Sequence, residues 1–249
     1  MSKSSAKLQL GDLKVFDEIY KTHYWGNGSG SGSSPDATLP YRDFLKLFLL
    51  ENSISSVVDL GCGDWQFSKL IDWSGIEYHG FDAAVSVIEK NRSVYGRENV
   101  TFSDFKNYDL IPEADLLIIK DVLQHLSNQE ISRIIQALIP RFKFTLITNC
   151  VPPIRTSFHR SGMFNRDIQT GDFRFLDLRR PPFNCKAELL FEWEINHRTA
   201  LQTLRHVCKG NPSGSSMIAG YWKCPLRFAK RLLLGINCDF RKHTMLIKS

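Results

Sequence analysis

The chain has 249 residues, 43% of them apolar, and a formal net charge of +6. That is enough apolar matter for one large domain with a full core; no apolar run reaches the roughly 18 residues of a membrane span, and the opening MSKSSAKLQL does not read as a secretory leader. All the net charge falls in residues 221–249, where seven Lys and Arg residues stand against Asp239 alone, so the body does not read as a basic nucleic-acid binder.

Six scattered cysteines (Cys62, Cys150, Cys185, Cys208, Cys224 and Cys238) include no C-x-x-C pair. Neither a zinc site nor a disulfide framework is expected from that spacing, and no metal site is expected. Reduced thiols in the cytoplasm are the simplest reading.

Residues 12–24 place Leu13, Phe16, Ile19 and Tyr20 at helical spacing, which predicts a short amphipathic helix. Residues 25–38, WGNGSGSGSSPDAT, read by composition as a flexible linker. Their position before a helix that leads into the core suggests instead an ordered lid, whose amides and hydroxyls can wrap a polar ligand. Residues 39–52 give that helix. Arg42 lies in its first turn, an unfavourable place for a cation unless a ligand carboxylate offsets it; the bland alternative is a solvated arginine.

The chain is organised around VVDLGCGDW, residues 57–65. Val57 and Val58 predict a buried strand ending at Leu60. Gly61 and Gly63 then permit a sharp turn and the close approach of a ligand. Cys62, inside the turn, reads as a small filler. The flanking carboxylates of Asp59 and Asp64 argue against a phosphate ligand and suit one with a cationic group and hydroxyls.

Regular strand–helix alternation follows. Residues 76–84 read as a strand ending at Asp82, about 20 residues on, where a ribose-binding carboxylate belongs in a nucleotide-binding βαβ unit. Residues 100–105 end on Asp104, and residues 114–126 carry Lys120, Asp121 and His125 at the exit of an apolar strand; residues 144–150 form a fifth strand. Helices are expected near 65–72, 84–95 and 128–140. Such alternation predicts a parallel sheet with right-handed crossovers, its polar strand exits forming one row along the carboxyl edge.

These positions together resemble the class I S-adenosylmethionine (SAM) dependent methyltransferases, with D-x-G-x-G at Asp59, Gly61 and Gly63. Trp25, the run Ser29–Ser34, Thr38 and Arg42 resemble a bacterial-type group of that family. So do NRDI, GDFR, LDL and PPF within residues 165–183. The resemblance covers nearly residues 20–195. It implies an α/β fold: a Rossmann-like, doubly wound, mostly parallel seven-stranded sheet with an antiparallel last strand, and N-terminal helices as a lid.

The resemblance also implies SAM as the cofactor. It puts Asp59, Gly61, Cys62 and Gly63 at the methionine part, Asp82 with Ala83 at the ribose, and Asp104 with Phe105 at the adenine. Trp25 and Arg42 would close over the cofactor, Arg42 on its carboxylate. A Lys120 cation near a sulfonium is unfavourable, so its head is expected on a carboxylate, or its carbonyl serves instead; Asp121 follows it.

For a hydroxyl acceptor, His125 is the candidate base, with Asp121 four residues before it; the alternative is a capping or packing histidine. His159 and His197 are weaker candidates. Residues 151–184 are expected to shape the acceptor site.

Residues 186–195 read as strand six, 197–209 as a helix and 216–224 as the last strand, at or near the edge. The organisation expected is therefore a lid over residues 1–53, a SAM-binding domain over 54–224 and a basic tail over 225–249.

The leading functional reading is methyl transfer to a small molecule or sugar, on oxygen. Alternatives are an RNA or protein methyltransferase that uses the basic tail to recruit its substrate, or a SAM-binding module without catalysis. The tail itself could dock on the body, lie on an anionic surface or touch RNA. KDVL stands where amino-directed nucleic-acid methyltransferases carry D/N-P-P-Y/F.

Overall fold

The computed structural model describes residues 10–26, 28–152, 164–195 and 240–248. Two helices, α1 (Leu10–Lys21) and α2 (Leu39–Glu51), precede a seven-stranded sheet. Its strands are β1 (Ser56–Leu60), β2 (Glu77–Asp82), β3 (Val100–Asp104), β4 (Leu116–Lys120), β5 (Phe144–Val151), β6 (Glu188–Ile195) and β7 (Phe240–Lys248). Helix α3 (Val85–Tyr95) links β2 to β3. Helix α4 (Asn128–Arg133) continues as a wider turn over Ile134–Leu138 and leads to β5.

The strand order is β3-β2-β1-β4-β5-β7-β6. Pairings from β3 to β5 are parallel, and β7 runs antiparallel to both β5 and β6. Every residue of β4 and β5 is buried, as expected of strands covered on both faces. One face packs against α2, with Tyr41 stacked on Trp193 and Phe44 on Phe191. The other packs Ile119, Ile147 and Met245 against α1, α4 and residues Leu176 and Leu178. Among the described residues no helix is long and apolar enough to cross a membrane.

The sheet reverses its order between β1 and β4, and the exits of both strands open on that crevice. This is where open α/β sheets bind ligands.

Two expectations need correction. The helix expected over 65–72 is only a single turn, Ser68–Leu70. Trp65 adopts φ 58° and buries its ring against Tyr78, Tyr95 and Phe102, which is incompatible with a helical start there.

The basic tail expected over 225–249 is not a tail at its end. Residues Phe240–Lys248 are β7, inserted between β5 and β6 rather than at an edge. Two of its three cations, Arg241 and Lys242, find carboxylate partners in the fold. Arg241 and His243 pair with Glu192 of β6, and Lys242 pairs with Asp121. The strand expected over 216–224, the helix over 197–209, and His159 and His197 lie outside the described residues.

Candidate active site

The turn after β1 is fixed from three sides. Gly61 and Gly63 have φ 79° and 56°, a region that glycine enters without strain. The amides of Gly61 and Cys62 donate to the Phe81 carbonyl, at 2.7 and 3.0 Å. Asn91 Nδ2 donates to the Gly63 carbonyl at 2.8 Å. A Cβ on Gly61 would meet Val122 Cγ2 at 2.2 Å, and one on Gly63 would meet Ser29 Oγ at 2.3 Å. The loop from the N-terminal region thus lies directly on the turn.

Asp82 is buried at the end of β2. Its Oδ2 accepts from the Gly63 amide and its Oδ1 from the Ala84 amide, both at 2.9 Å. Burial raises its pKa, and those two amides oppose the rise. The carboxylate expected at a ribose therefore first holds the glycine turn, with remaining lone pairs left for further donors. Ala83, beside it, is half-buried. Cys62 is buried with its sulfur against Gly80, where a Cβ would lie 2.9 Å from Sγ. Burial pushes its thiol pKa well up, so it is a packing group rather than a nucleophile.

Asp59 is buried and accepts from the Tyr78 hydroxyl at 2.6 Å. Burial lifts its pKa to about 7, against the pull of Tyr78 and Lys120.

Asp104 does not stand free for an adenine amine. It pairs with Arg92 at 3.0 Å and with Lys106 at 3.3 Å, and the bond from Arg92 holds its pKa down. The Phe105 ring packs in the core beside Tyr108, and its amide donates to the Asp82 carbonyl at 2.7 Å. Arg42 Nη2 donates to the Pro35 carbonyl at 3.0 Å, tying α2 to the loop before it.

That loop is not a free linker. Ser29 Oγ donates to Asp64 Oδ1 at 2.6 Å, accepts from the Asp64 amide at 3.0 Å and lies 2.8 Å from the Tyr20 hydroxyl. Lys120 Nζ donates to the Gly32 carbonyl at 3.2 Å. Trp25 packs its ring 5.1 Å from that of His125 and 5.7 Å from that of Tyr20.

The exits of β4 and β5 and the start of β7 meet in a buried ion cluster. Asp121, at φ 61°, accepts from Lys120 Nζ at 2.7 Å and from Lys242 Nζ. Burial alone would raise the Asp121 pKa, but the two ammonium groups outweigh it and hold it at about 2. Burial lowers the pKa of Lys120, against Asp121, while its head also faces the Phe67 ring at 4.9 Å. For Lys242 the partners win: burial would lower its pKa, but Asp121 and Cys150 raise it. Lys242 Nζ lies 2.9 Å from Cys150 Sγ.

The expected pairing of Asp121 with His125 does not form. The left-handed backbone at Asp121 ends the strand, and Leu123–His125 is a tight 3-10 turn, so the two never share an α-helical face. His125 instead places Nδ1 2.8 Å from the Asp172 carbonyl and Nε2 3.4 Å from Gln124 Nε2. Its half-buried ring sits between Trp25 and Phe173. Burial pulls its pKa down to about 4, against the Asp172 carbonyl and Asp121.

Gln124 and Lys242 lie at this site and were passed over by sequence reasoning, which named Ser29 only as the start of a serine run. Lys242 sat in a stretch that read as a basic tail, and nothing local distinguishes Ser29 from its serine neighbours.

No family model matches the sequence, and no curated protein matches it. The solved structures do. The [4+2]-cyclase SpnF superposes with a TM-score of 0.59 at 16% identity, covering 96% of this chain and 94% of that one. A putative sarcosine dimethylglycine methyltransferase from Galdieria sulphuraria gives 0.54 at 14%, covering 94% and 98%.

A SAM-dependent methyltransferase from Geobacter sulfurreducens, solved with S-adenosyl-L-homocysteine (SAH), gives 0.51 at 15%, covering 95% and 98%. The fold is that of the class I SAM-dependent methyltransferases. Identities this low establish the architecture, and the cyclase among them shows that the architecture alone does not dictate the reaction.

Proposed function

We propose that this chain is a SAM-dependent methyltransferase whose acceptor is a small molecule or a sugar, methylated on oxygen. The cofactor fits the residues present. The turn at Gly61 and Gly63 has no room for side chains. Asp59, Asp64 and Asp82 around it suit a cationic ligand with hydroxyls, where a phosphate ligand would call for lysine or bare amides. Asp82 and the turn it holds would meet the ribose, and Asp59 the methionine part.

The observation that carries the acceptor reading is the His125 ring, held uncharged beside the exits of β4 and β5. SAM, when bound, supplies an electrophilic methyl carbon on a sulfonium. A hydroxyl oxygen gains positive charge as it takes that carbon, and its proton becomes far more acidic than an imidazolium of pKa about 4. A weak, neutral base is then sufficient: the proton passes to His125 Nε2 late in the transfer.

The chain's larger contribution is alignment of donor and acceptor, which can supply roughly 7–11 kcal/mol. The loop from Trp25 to Thr38 closes the site from above, and residues 164–184 line the acceptor side. Arg241 and Lys242, engaged with Glu192 and Asp121, are not free to recruit a nucleic-acid or protein acceptor.

The test is methyl transfer from labelled SAM into cell extract separated into small molecules, glycans, RNA and protein. Label is expected in the small-molecule or glycan fraction, and His125→Gln should lower transfer by about 10²–10⁴-fold. Label confined to RNA or protein would overturn the acceptor class.

A further inference from the structure

Gln124 is buried between the end of β5 and the His125 ring. Its Oε1 accepts from the Cys150 amide at 2.7 Å. A main-chain N–H can only donate, so this contact fixes which end of the side-chain amide is oxygen. The NH₂ end therefore faces His125, with the two Nε2 atoms 3.4 Å apart. On the other side of the ring, Nδ1 lies 2.8 Å from the Asp172 carbonyl, which can only accept.

One form of the imidazole satisfies both contacts: proton on Nδ1, lone pair on Nε2. The opposite tautomer would set donor against donor at Gln124 and acceptor against acceptor at Asp172. The imidazolium would set donor against donor at Gln124.

The main chain is clamped as well. The Gly171 amide donates to the His125 carbonyl at 2.8 Å, and the Arg174 amide to the Gln124 carbonyl at 3.1 Å. The charged groups acting on the ring are Asp121 on one side of the balance and Lys242 and Arg174 on the other. The rings of Trp25 and Phe173 enclose it.

The geometry points to Gln124 as the positioning residue of His125: an amide anchored on β5 that holds the ring neutral and turns the bare Nε2 toward an incoming proton. This rests on the base role given to His125 above. The 3.4 Å contact is long for a hydrogen bond, so an acceptor hydroxyl can replace it without a large loss.

The test uses Gln124→Glu in the full chain, with ¹⁵N-labelled histidine followed by NMR. The variant keeps an oxygen for the Cys150 amide and replaces the donor at His125 with a carboxylate. In the parent protein the ring should show the Nδ1-protonated tautomer at neutral pH. In the variant its pKa should rise by at least one unit, a tenfold gain in proton affinity. The acid limb of kcat/KM for methyl transfer should move with it.

An Nε2-protonated ring in the parent would overturn the proposal, and that reading needs no variant to fold. So would an unmoved pKa in Gln124→Glu. If the ring shifts as expected but transfer survives His125→Gln, the base reading is what fails, and with it any catalytic role for Gln124. If the ring does not shift while His125→Gln abolishes transfer, the role of Gln124 fails alone.

Discussion

Ser29 and Asp64 stand 35 positions apart and bond to each other twice, side chain to carboxylate and main-chain amide to hydroxyl. That double contact joins the Ser/Gly-rich loop to the glycine turn after β1. It makes the loop part of the site's wall.

Removing the contact should free the loop. Ser29→Ala deletes a charge-assisted bond of about 1.5–3 kcal/mol and strips the Tyr20 hydroxyl of its partner. Amide exchange over residues 28–38 should accelerate, and SAH affinity should fall in calorimetry. Unchanged exchange would mean that the loop is held elsewhere, through Gly32 and Lys120.

Deleting residues 240–249 removes a strand that pairs along its length with both β5 and β6. The shortened chain should fail to fold cooperatively by far-UV circular dichroism and urea titration, because two sheet edges would be left unpaired. A folded truncation that binds SAH would show that residues 240–248 are dispensable, as a basic tail would be.

The strands from β1 to β5 were legible because burial on both faces writes itself as runs such as Leu116–Ile119, ended by Lys120 and Asp121 at the exit. Strand β7 was not legible. Arg241 and Lys242 read as part of a basic tail, since their partners Glu192 and Asp121 are distant in sequence. The site divided the same way. The glycine turn and Asp82 announced themselves by spacing. Spacing also suggested Asp121 with His125, but the left-handed backbone at Asp121, invisible in the residue type, sent the carboxylate to two lysines.

The ion cluster makes a prediction of its own. Asp121 is held at about 2, below its ordinary 3.8, so it stabilises the fold above pH 3.8 and loses that contribution as pH falls toward 2. Asp121→Asn should be less stable than the parent at neutral pH by about 3–5 kcal/mol in urea unfolding, as when one partner of a buried pair is removed. The gap should narrow through that acid window. A gap independent of pH would mean that the carboxylate's charge does not hold the lysines.

Asp59 has the opposite sign. Its pKa is raised from 3.8 to about 7, so the fold favours the protonated form; the stability tied to it is complete below 3.8 and lost as pH rises through 7. Asp59→Asn cannot ionise and keeps an oxygen for the Tyr78 hydroxyl. It should gain on the parent between those limits and hold a constant advantage above them, measured by urea unfolding across pH. An advantage already present at pH 4 would point to repacking rather than charge.

The central claim is that the glycine turn, with Asp59 and Asp82 around it, receives SAM. Calorimetric titration of SAH into the full chain, with ATP and NAD as controls, tests it most directly. One SAH should bind per chain in the micromolar range usual for enzyme ligands, with no heat from either nucleotide, and Asp82→Ala should weaken binding at least tenfold. Absence of SAH binding by a folded chain, or equal binding of ATP, would contradict the account.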